Sequence, residues 1–590
     1  MFPISFLISI LLTIFSPSLS IINISNYAYP HPEPSSSSKY TIAIFATNDI
    51  HGYALPQTFI DKRNNEKYVN GSIEYMSTII NAIHDEWKER FIWLDGGDHG
   101  SGGIEFTLSN GQIMTDFFNN AGLTATTLGN HEFTYGIEFL KNQMQNSTFD
   151  YIVSNIIDKQ TGSRKCLPNQ KISAIYKVGK VNIGVIGLTH LKIANESAKA
   201  NSFMFLSYRD IIISESKYLH DKGANAVVLL AHFGAKCSET NDIYELKLRT
   251  SMNNNNDDLK NNCENFEGVV ELLESLPKGT INAVVSGHVH QITHHWIQGH
   301  IPIVSSSGIS YGNVIYLTFD KVNFPRKNTY IPSHALIEGP IPICSKVFSI
   351  SKSCPHFAHV NNPSHLGTLM HYSFHGTNIN ADDRLSKQLI KWKRMLTPLY
   401  EPICYTETVL ERCVNGDNTL HNIISDTFRK VANADFAIIH SNCLRTKWLP
   451  GELNYVDMFN MFPFTDTICS FEMSGKEVMR MIRDLSGNEN VYSVSGLRVT
   501  YQKGSNRFID VIEDNGNYII KDKMYIISSS DYLVKGNIEF RKVIEWYHIP
   551  KNYKCYITAR EAVAEYLKEM KVIKANAFVD PFHPRNVFID

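Results

Sequence analysis

Short apolar runs alternate with polar loops through the first half of the chain. Each run is rich in aliphatic and β-branched side chains, which is typical of buried strands. The clearest runs are 41–45, 91–94, 181–186, 226–230 and 282–285. Helical patterns lie between some of them, at 72–87 and 208–222. Strands that alternate with helices predict an α/β fold, in which ligands bind in the loops beyond the strand ends.

A second α/β pattern begins near 404 and continues to the end of the chain. Before it, the spacing of apolar residues predicts an amphipathic helix over 381–395, and Thr397-Pro398 predicts a break. The 590 residues are enough for two to four domains. We therefore expect the following division: a signal at 1–20, a first domain at 40–365, a linker with a helix at 366–400 and a second domain at 401–590.

The chain begins with an apolar segment over 2–15, followed by small residues up to Ser20. This pattern predicts a secretory signal that is cleaved after about Ser20. A signal anchor or a buried helix is the alternative, although the segment is short for a membrane span. No later run is long enough to span a bilayer. We expect the mature protein to be secreted or to reside in the lumen of the secretory or vacuolar pathway.

Cysteine usage and sequons agree with that compartment. The ten cysteines are an even number, as expected in an oxidising lumen. Close pairs suggest three bridges, although connectivity cannot be deduced from the sequence: Cys237–Cys263, Cys344–Cys354 and Cys404–Cys413. Sequons for N-glycosylation stand at Asn23, Asn70, Asn146 and Asn195.

The charge balance restricts the partners. The 56 Lys and Arg against 58 Asp and Glu give a net charge of -2, so no basic field exists to hold nucleic acid. We therefore expect no nucleic-acid partner. The oligomeric state is left open.

Five loops in the first half share the same residue types, and most of them follow a predicted strand. They are Asp49-Ile50-His51, Gly97-Asp98, Gly129-Asn130-His131-Glu132, His232 and Gly287-His288-Val289-His290. Asp, Asn and His together suit two divalent ions such as Zn or Mn. A carboxylate such as Asp98 can bridge the two ions, which then activate water and clamp a phosphoryl group. Each motif alone is weak, but five in order predict a metal centre.

The order of these motifs resembles the calcineurin-like metallophosphoesterases. In the second half, 422–426, 434–439, 444–445, 462–467, 473–475 and 494–499 resemble the C-terminal domain of 5'-nucleotidases. The resemblance covers Thr41 to about Leu567. It implies a four-layer α/β/β/α sandwich followed by a C-terminal α/β substrate-binding domain, and a metal-dependent phosphoric ester hydrolase.

The resemblance also implies roles by position. Asp49, His51, Asp98 and His290 would hold one metal, and Asp98, Asn130, His232 and His288 the other. His131 would assist catalysis at the leaving oxygen, beside Asn130. Arg445 would contact the phosphate, Phe464 and Tyr532 would stack on the base, and His440 would lie at a polar substrate contact.

Several positions depart from the family pattern. Thr134 stands where the family has an Asp that orients the catalytic histidine. His440 replaces an Asn, and Ile538 replaces the Asp that grips the ribose. Near Gly416 a second phosphate-binding Arg is missing, with Arg412 as the only nearby stand-in. The hydrolytic residues are therefore complete while the nucleoside contacts are altered.

Three functions are compatible with this pattern. The first is a phosphohydrolase that acts on nucleotides in the manner of a 5'-nucleotidase. The second keeps the chemistry but uses another phosphoester, such as a nucleoside di- or triphosphate, a cyclic ester or a non-nucleotide ester. The third is a catalytically weak, phosphatase-like binding protein, which Thr134 and the altered pocket loops favour.

Overall fold

The computed structural model describes 38–61, 66–191, 193, 200–237, 259–306, 308–320, 332–354, 367–411, 418–440, 444, 447–448, 450–462, 466–486, 492–535, 553–574 and 577–589. The predicted signal, 1–20, and the sequons at Asn23 and Asn195 lie outside these residues. Of the other two sequons, Asn70 is buried and Asn146 is exposed. Within the described ranges, no helix is long and apolar enough to cross a membrane.

Two sheets face each other in the first part of the chain. The first has seven strands, in the order His334–Pro342, Tyr311–Asp320, Lys39–Thr47, Phe91–Asp95, Ala125–Thr126, Asp150–Ile152 and Gln170–Lys171. The second has six strands, in the order Thr293–Ile297, Ile301–Ser305, Ala283–Ser286, Ala226–Ala231, Val181–Leu188 and Ser173–Val178. All five predicted apolar runs fall on these strands. Within each sheet, several of these strands pair in parallel with a neighbouring strand.

Both faces of the first sheet are buried, which explains why its strands are apolar at successive positions. In Lys39–Thr47, Ile42 and Ile44 point to the second sheet, where they pack with Ile183 and Val228. Ala43 and Phe45 point the other way. There they meet the helices Ile73–Trp87, Ile104–Leu108, Gln112–Ala121 and Ile137–Asn146.

The outer face of the second sheet is covered by Tyr208–Asp221, Leu259–Asn262 and Val269–Glu274. The layers therefore run helix, sheet, sheet, helix, and the four-layer α/β/β/α prediction is confirmed. Two of the helices were predicted almost to the residue. Ser72 caps one of them, because its side chain accepts hydrogen bonds from the backbone N–H groups of Glu74 and Tyr75.

Smaller elements complete this part. They are the two-stranded pairs Gln57–Asp61 with Glu66–Asn70, Ile156–Asp158 with Phe203–Phe205, Lys236–Cys237 with Cys263–Glu264, Lys346–Phe348 with Leu369–His371, and Ser373–Phe374 with Thr377–Asn378. Short 3-10 helices stand at Lys88–Arg90, His131–Phe133, Phe266–Gly268, Gly308–Ser310 and Thr397–Tyr400.

The predicted linker helix is present as Asp383–Leu396. Asp382 caps it, and its apolar side packs on the first part of the chain. Lys393 donates to the Glu74 carboxylate at 2.9 Å, on the helix Ile73–Trp87. The helix is thereby attached to the first part of the molecule.

The second part is built on a five-stranded sheet, in the order Tyr492–Ser495, Phe436–His440, Met524–Ser530, Thr467–Ser474 and Lys554–Thr558. One face packs on Thr419–Ala432, Tyr455–Met461 and Ala559–Met570. The other packs on Gly475–Leu485, Asp531–Lys535 and the sheet Arg507–Glu513, Leu497–Gln502 and Asn586–Ile589. Gly451–Asn454, Pro402–Thr406 and Val572–Ile573 form a further sheet.

Three disulfides are present among the described cysteines. Cys237–Cys263 and Cys344–Cys354 confirm two predicted bridges. The suggested Cys404–Cys413 bridge is wrong, because Cys404 carries a free, buried thiol; Cys413 lies outside the described residues. Instead, Cys469 bonds to Cys555 on the neighbouring strand. The two cysteines are 86 positions apart in the sequence, so closeness along the chain does not indicate this pair.

Candidate metal centre

The predicted ligands lie together at the ends of strands from both sheets. Asp49 and Asp98 follow the paired strands Lys39–Thr47 and Phe91–Asp95 of the first sheet, where Thr47 faces Asp95. His232 directly follows Ala226–Ala231 of the second sheet. Side chains beyond the carboxyl ends of parallel strands meet at one edge of a sheet, and here two such edges meet.

The first group of ligand atoms comes from Asp49, His51, Asp98 and His290, and these atoms all lie within 4.8 Å of one another. Nε2 of His51 is 2.9 Å from Nε2 of His290. Oδ1 of Asp49 is 3.8 Å from Nε2 of His51 and 3.6 Å from Nε2 of His290. Two imidazole nitrogens and a carboxylate oxygen at such distances can converge on one cation.

The second group comes from Asp98, Asn130, His232 and His288. Oδ1 of Asn130 is 3.1 Å from Nδ1 of His288 and 3.2 Å from Nε2 of His232. That same His232 nitrogen is 3.1 Å from Oδ2 of Asp98. The two groups therefore share Asp98.

Oδ2 of Asp98 is the atom that the two groups have in common. It is 3.9 Å from Nε2 of His51 in the first group. It is also buried, and the polar atoms near it are imidazole nitrogens, with Nε2 of His232 at 3.1 Å. The other oxygen, Oδ1, accepts a hydrogen bond of 2.8 Å from the backbone N–H of His131. A buried carboxylate is costly unless positive charge lies beside it. An oxygen that faces imidazole nitrogens of both groups fits a site for divalent metal ions.

The backbone at the ligands is strained. Positive φ angles occur at Asp49 (53°), His51 (52°), Asp98 (55°), His288 (77°) and His290 (54°). Residues other than Gly rarely adopt this region, and such strain clusters at functional sites. The backbone at Gly129 also approaches the Asp98 carboxylate closely, since a Cβ at Gly129 would lie 2.1 Å from Oδ1 of Asp98.

Burial and charge act together on the ligands. Burial raises the pKa of Asp49 to about 7 and lowers the pKa of His51 to about 3. Burial also opposes ionisation of Asp98, but the charges of His232 and His131 outweigh it and hold the pKa of Asp98 well below its usual value. Burial would lower the pKa of His232, yet Asp98 raises it to about 10. Buried carboxylates thus draw positive charge into the site.

Backbone carbonyls orient two of the histidines. Nδ1 of His51 lies 2.9 Å from the carbonyl oxygen of Ser101, and Nδ1 of His232 lies 2.9 Å from that of Gly96. These contacts favour a proton on Nδ1 in the neutral imidazole, so that Nε2 is the nitrogen that faces the other candidate ligand atoms.

His131 lies beside the ligands but outside both groups. It begins the 3-10 helix His131–Phe133, and its ring meets the His51 ring edge-on at 4.9 Å. Oγ1 of Thr134 is 3.4 Å from Nδ1 of His131. The hydroxyl therefore faces the imidazole from the position where the family has a carboxylate.

Sequence reasoning assigned no role to Glu132, although it lies within the quoted motif. Its carboxylate accepts backbone hydrogen bonds from Asp98 (3.1 Å), Gly100 (3.1 Å) and Gly129 (2.6 Å). Asn48 was missed in the same way. Its Nδ2 donates to Asp49, and its Oδ1 accepts from the backbone of Ser306 at 2.6 Å. A polar residue next to a ligand in a buried loop is the signal that could have found both.

The predicted substrate residues lie in the second part of the chain. His440 ends the strand Phe436–His440 and meets the Tyr492 ring edge-on at 5.4 Å. Tyr532 is 52% exposed at the start of the helix Asp531–Lys535, so a core-packing role for it is excluded. The predicted contacts Arg445 and Phe464 lie outside the described residues, as do the departures at Arg412, Gly416 and Ile538.

Comparisons with known proteins agree with this architecture. The family model for calcineurin-like phosphoesterase matches 42–292, and that for the 5'-nucleotidase C-terminal domain matches 399–545. A 5'-nucleotidase-related protein of Glossina morsitans morsitans is 20% identical over 91% of this chain and 94% of its own. A 5'-nucleotidase of Vibrio parahaemolyticus is 22% identical over 93% of each chain.

Comparison of the fold with solved structures gives relatives of the same kind. The crystal structure of a 5'-nucleotidase precursor from Thermus thermophilus has a TM-score of 0.67 and 18% identity, and the match covers 93% of this chain and 100% of that one. The motifs, the layers and both family models therefore agree. The chain belongs to the calcineurin-like phosphoesterases that carry a 5'-nucleotidase C-terminal domain, a family of hydrolases.

Proposed function

We propose that this protein is a two-metal phosphohydrolase that removes phosphate from nucleotides. The observation that carries the proposal is Oδ2 of Asp98, a buried oxygen that lies 3.1 Å from Nε2 of His232 and 3.9 Å from Nε2 of His51 and so faces both ligand groups. One carboxylate shared between two sets of Asp, Asn and His ligands is the arrangement that two adjacent divalent ions require.

The two groups would hold one ion each. Asp49, His51, Asp98 and His290 form the first set, and Asp98, Asn130, His232 and His288 form the second. When bound, two such ions activate water and neutralise charge on a transferring phosphoryl group. Asp, Asn and His suit Zn and Mn alike, so the ligands do not select between them.

His131 is proposed as the catalytic histidine. Its backbone N–H is fixed to Oδ1 of Asp98 at 2.8 Å, so its place relative to the ligands is set by the same carboxylate. Its side chain lies beside His51 on the partly open side of the site. From there it can donate a proton to the leaving oxygen of the substrate.

We propose that the substrate is held by the second domain, in the division 40–365, 366–400 and 401–590. Tyr532, whose ring is 52% exposed, would stack on one face of the base, and Phe464 would stack on the other. Arg445 would bind the phosphate, and His440 would contact the base. The names of the relatives support a nucleotide.

Another phosphoester is the second candidate. The predicted changes at Ile538 and Gly416 favour a substrate with fewer nucleoside contacts. The complete ligand set weighs against a protein that only binds.

We also propose that the protein is secreted or luminal and loses 1–20. The three disulfides among the described cysteines support this, because such bonds persist in oxidising compartments.

A substrate panel tests the function. The purified protein would be loaded with Mn²⁺ or Zn²⁺ and assayed for phosphate release from nucleoside mono-, di- and triphosphates, cyclic nucleotides and an aryl phosphate. We expect nucleotides to be hydrolysed fastest and His131→Ala to abolish turnover. Equal turnover by His131→Ala, or none by the loaded wild type on any ester, contradicts the proposal.

A further inference from the structure

His190 is a buried histidine beside the metal centre that no motif and no role has included. It is 2% exposed and follows the strand Val181–Leu188. That strand pairs in parallel with Ala226–Ala231, so that Leu188 faces Ala231. His190 therefore lies at the same sheet edge as His232, and an apolar run followed by a histidine-bearing loop is the pattern that marked the ligands themselves.

Asn155 fixes the backbone that carries His190. Its side chain donates to the carbonyl of Thr189 at 2.8 Å and accepts from the N–H of Thr189 at 3.0 Å. Asn155 is fully buried. A two-point hydrogen bond from a buried amide holds the loop in one conformation, so His190 is a rigid neighbour of the site.

The His190 ring stacks on the ring of His288. The ring centroids are 4.3 Å apart and the planes differ by 28°. On the ligand side, Nδ1 of His288 is 3.1 Å from Oδ1 of Asn130. His51 and His232 use Nδ1 to contact a backbone carbonyl and offer Nε2. His288 offers Nδ1 instead, so this nitrogen does not make the carbonyl contact seen at the other two rings, and the ring face packs against His190.

We propose that His190 is a positioning residue for His288 and thereby sets the affinity of the second metal position. The proposal rests on the proposed metal-dependent function. The stacked ring holds the plane of His288 so that Nδ1 points toward Asn130 and His232. Without it the imidazole rotates about its bond to Cβ, and only the ligand group that contains His288 is affected. Groups that orient a metal ligand typically contribute about 10–100-fold to metal affinity.

The test measures metal binding rather than turnover. Metal-free protein would be titrated calorimetrically with Mn²⁺, and the absorption bands of the Co²⁺-loaded protein would report the geometry at each position. The variants are His190→Ala, His190→Phe and His300→Ala, the last a control at an exposed histidine. We expect His190→Ala to weaken the binding of one of the two ions about 10–100-fold and to leave the affinity for the other ion unchanged. His190→Phe keeps a flat ring and should bind both ions like wild type.

Three results would overturn the proposal. The first is an unchanged metal affinity in His190→Ala, and the second is an equal loss of affinity for both ions. The third is a His190→Phe variant that binds metal as weakly as His190→Ala. If His190→Ala does not fold, His190→Leu replaces it as the variant without a flat ring, and the comparison with His190→Phe decides in the same way. The metal titration contains no substrate, so it does not depend on which ester is hydrolysed. A wild type that binds two ions but hydrolyses no nucleotide therefore contradicts only the proposed substrate. A wild type that binds fewer than two ions overturns both proposals.

Discussion

The hydroxyl of Thr134 lies 3.4 Å from Nδ1 of His131, at the position where the family resemblance implies a carboxylate. A neutral hydroxyl orients this ring weakly and stabilises its protonated form less than a carboxylate would. If His131 donates a proton in catalysis, the weak contact between Thr134 and His131 limits the rate.

Thr134→Asp should therefore raise kcat about 10-fold, because a carboxylate at this distance stabilises the imidazolium that donates the proton. The measurement is kcat against pH with a metal-loaded enzyme. Thr134→Asn is the matched control, with a similar side chain and no charge, and should give no gain. A kcat for Thr134→Asp at or below that of wild type, with the metals retained, would show that Thr134 is not limiting.

Asp98→Asn should remove the atom that both ligand groups share. An amide is a poorer metal ligand than a carboxylate, so both ions should bind more weakly. The loss of several kcal/mol of transition-state stabilisation lowers kcat/KM on the order of 10³-fold. Elemental analysis of the purified variant and steady-state kinetics check this. Full occupancy of two ions in Asp98→Asn would contradict the shared-ligand assignment.

Glu132→Gln should destabilise the loops that carry the ligands. The carboxylate accepts three backbone hydrogen bonds, and an amide presents one N–H₂ group to these donors. A buried donor left without its acceptor costs about 1–3 kcal/mol of unfolding free energy. Urea denaturation would measure the change. Glu138→Gln, at an exposed pair with Lys141, is the control and should change the free energy by less than about 1 kcal/mol.

Tyr532→Ala should raise KM for a nucleotide about 10-fold, because stacking on a base contributes about 1–3 kcal/mol. KM for a small aryl phosphate should not change, since that substrate does not reach the ring. Tyr518→Ala, at another exposed tyrosine, serves as the control. Equal effects of Tyr532→Ala on both substrates would indicate that the residue does not contact the base.

His375 should make stability depend on pH. Burial alone would lower its pKa, but hydrogen bonds to Glu338 (2.8 Å) and Glu86 (2.7 Å) outweigh burial and raise the pKa above its usual 6.5. A group with a raised folded-state pKa stabilises fully below its unfolded pKa, and its contribution disappears as pH rises through the folded value.

Wild type should accordingly exceed His375→Gln in unfolding free energy most at about pH 5.5, and the gap should shrink above neutral pH. Denaturant midpoints of the two proteins at a series of pH values check this. A gap that is constant or widens with pH would mean that the protonated imidazole does not hold these carboxylates.

Much of the fold could be predicted because its signals are local. The apolar runs of the first half, the helix capped by Ser72 and the linker helix each follow from periodicity and capping within a dozen or so residues. The residues predicted as metal ligands carry a signal of the same local kind, because most of them follow predicted strands whose carboxyl ends meet. Their grouping followed from a family resemblance, and the structure places the members of each group together.

The sequence by itself determined the alternation of strands and helices, indicated the candidate Asp, Asn and His ligands, and suggested two of the three bridges among the described cysteines. Tertiary structure alone decided the bond between Cys469 and Cys555, the free thiol of Cys404, and the stacking of His190 on His288. The physical reason is the distance along the chain over which each kind of signal acts. Periodicity, caps and strand ends are properties of neighbouring residues, whereas these contacts join segments 86 or more residues apart or depend on which strands become neighbours in a sheet.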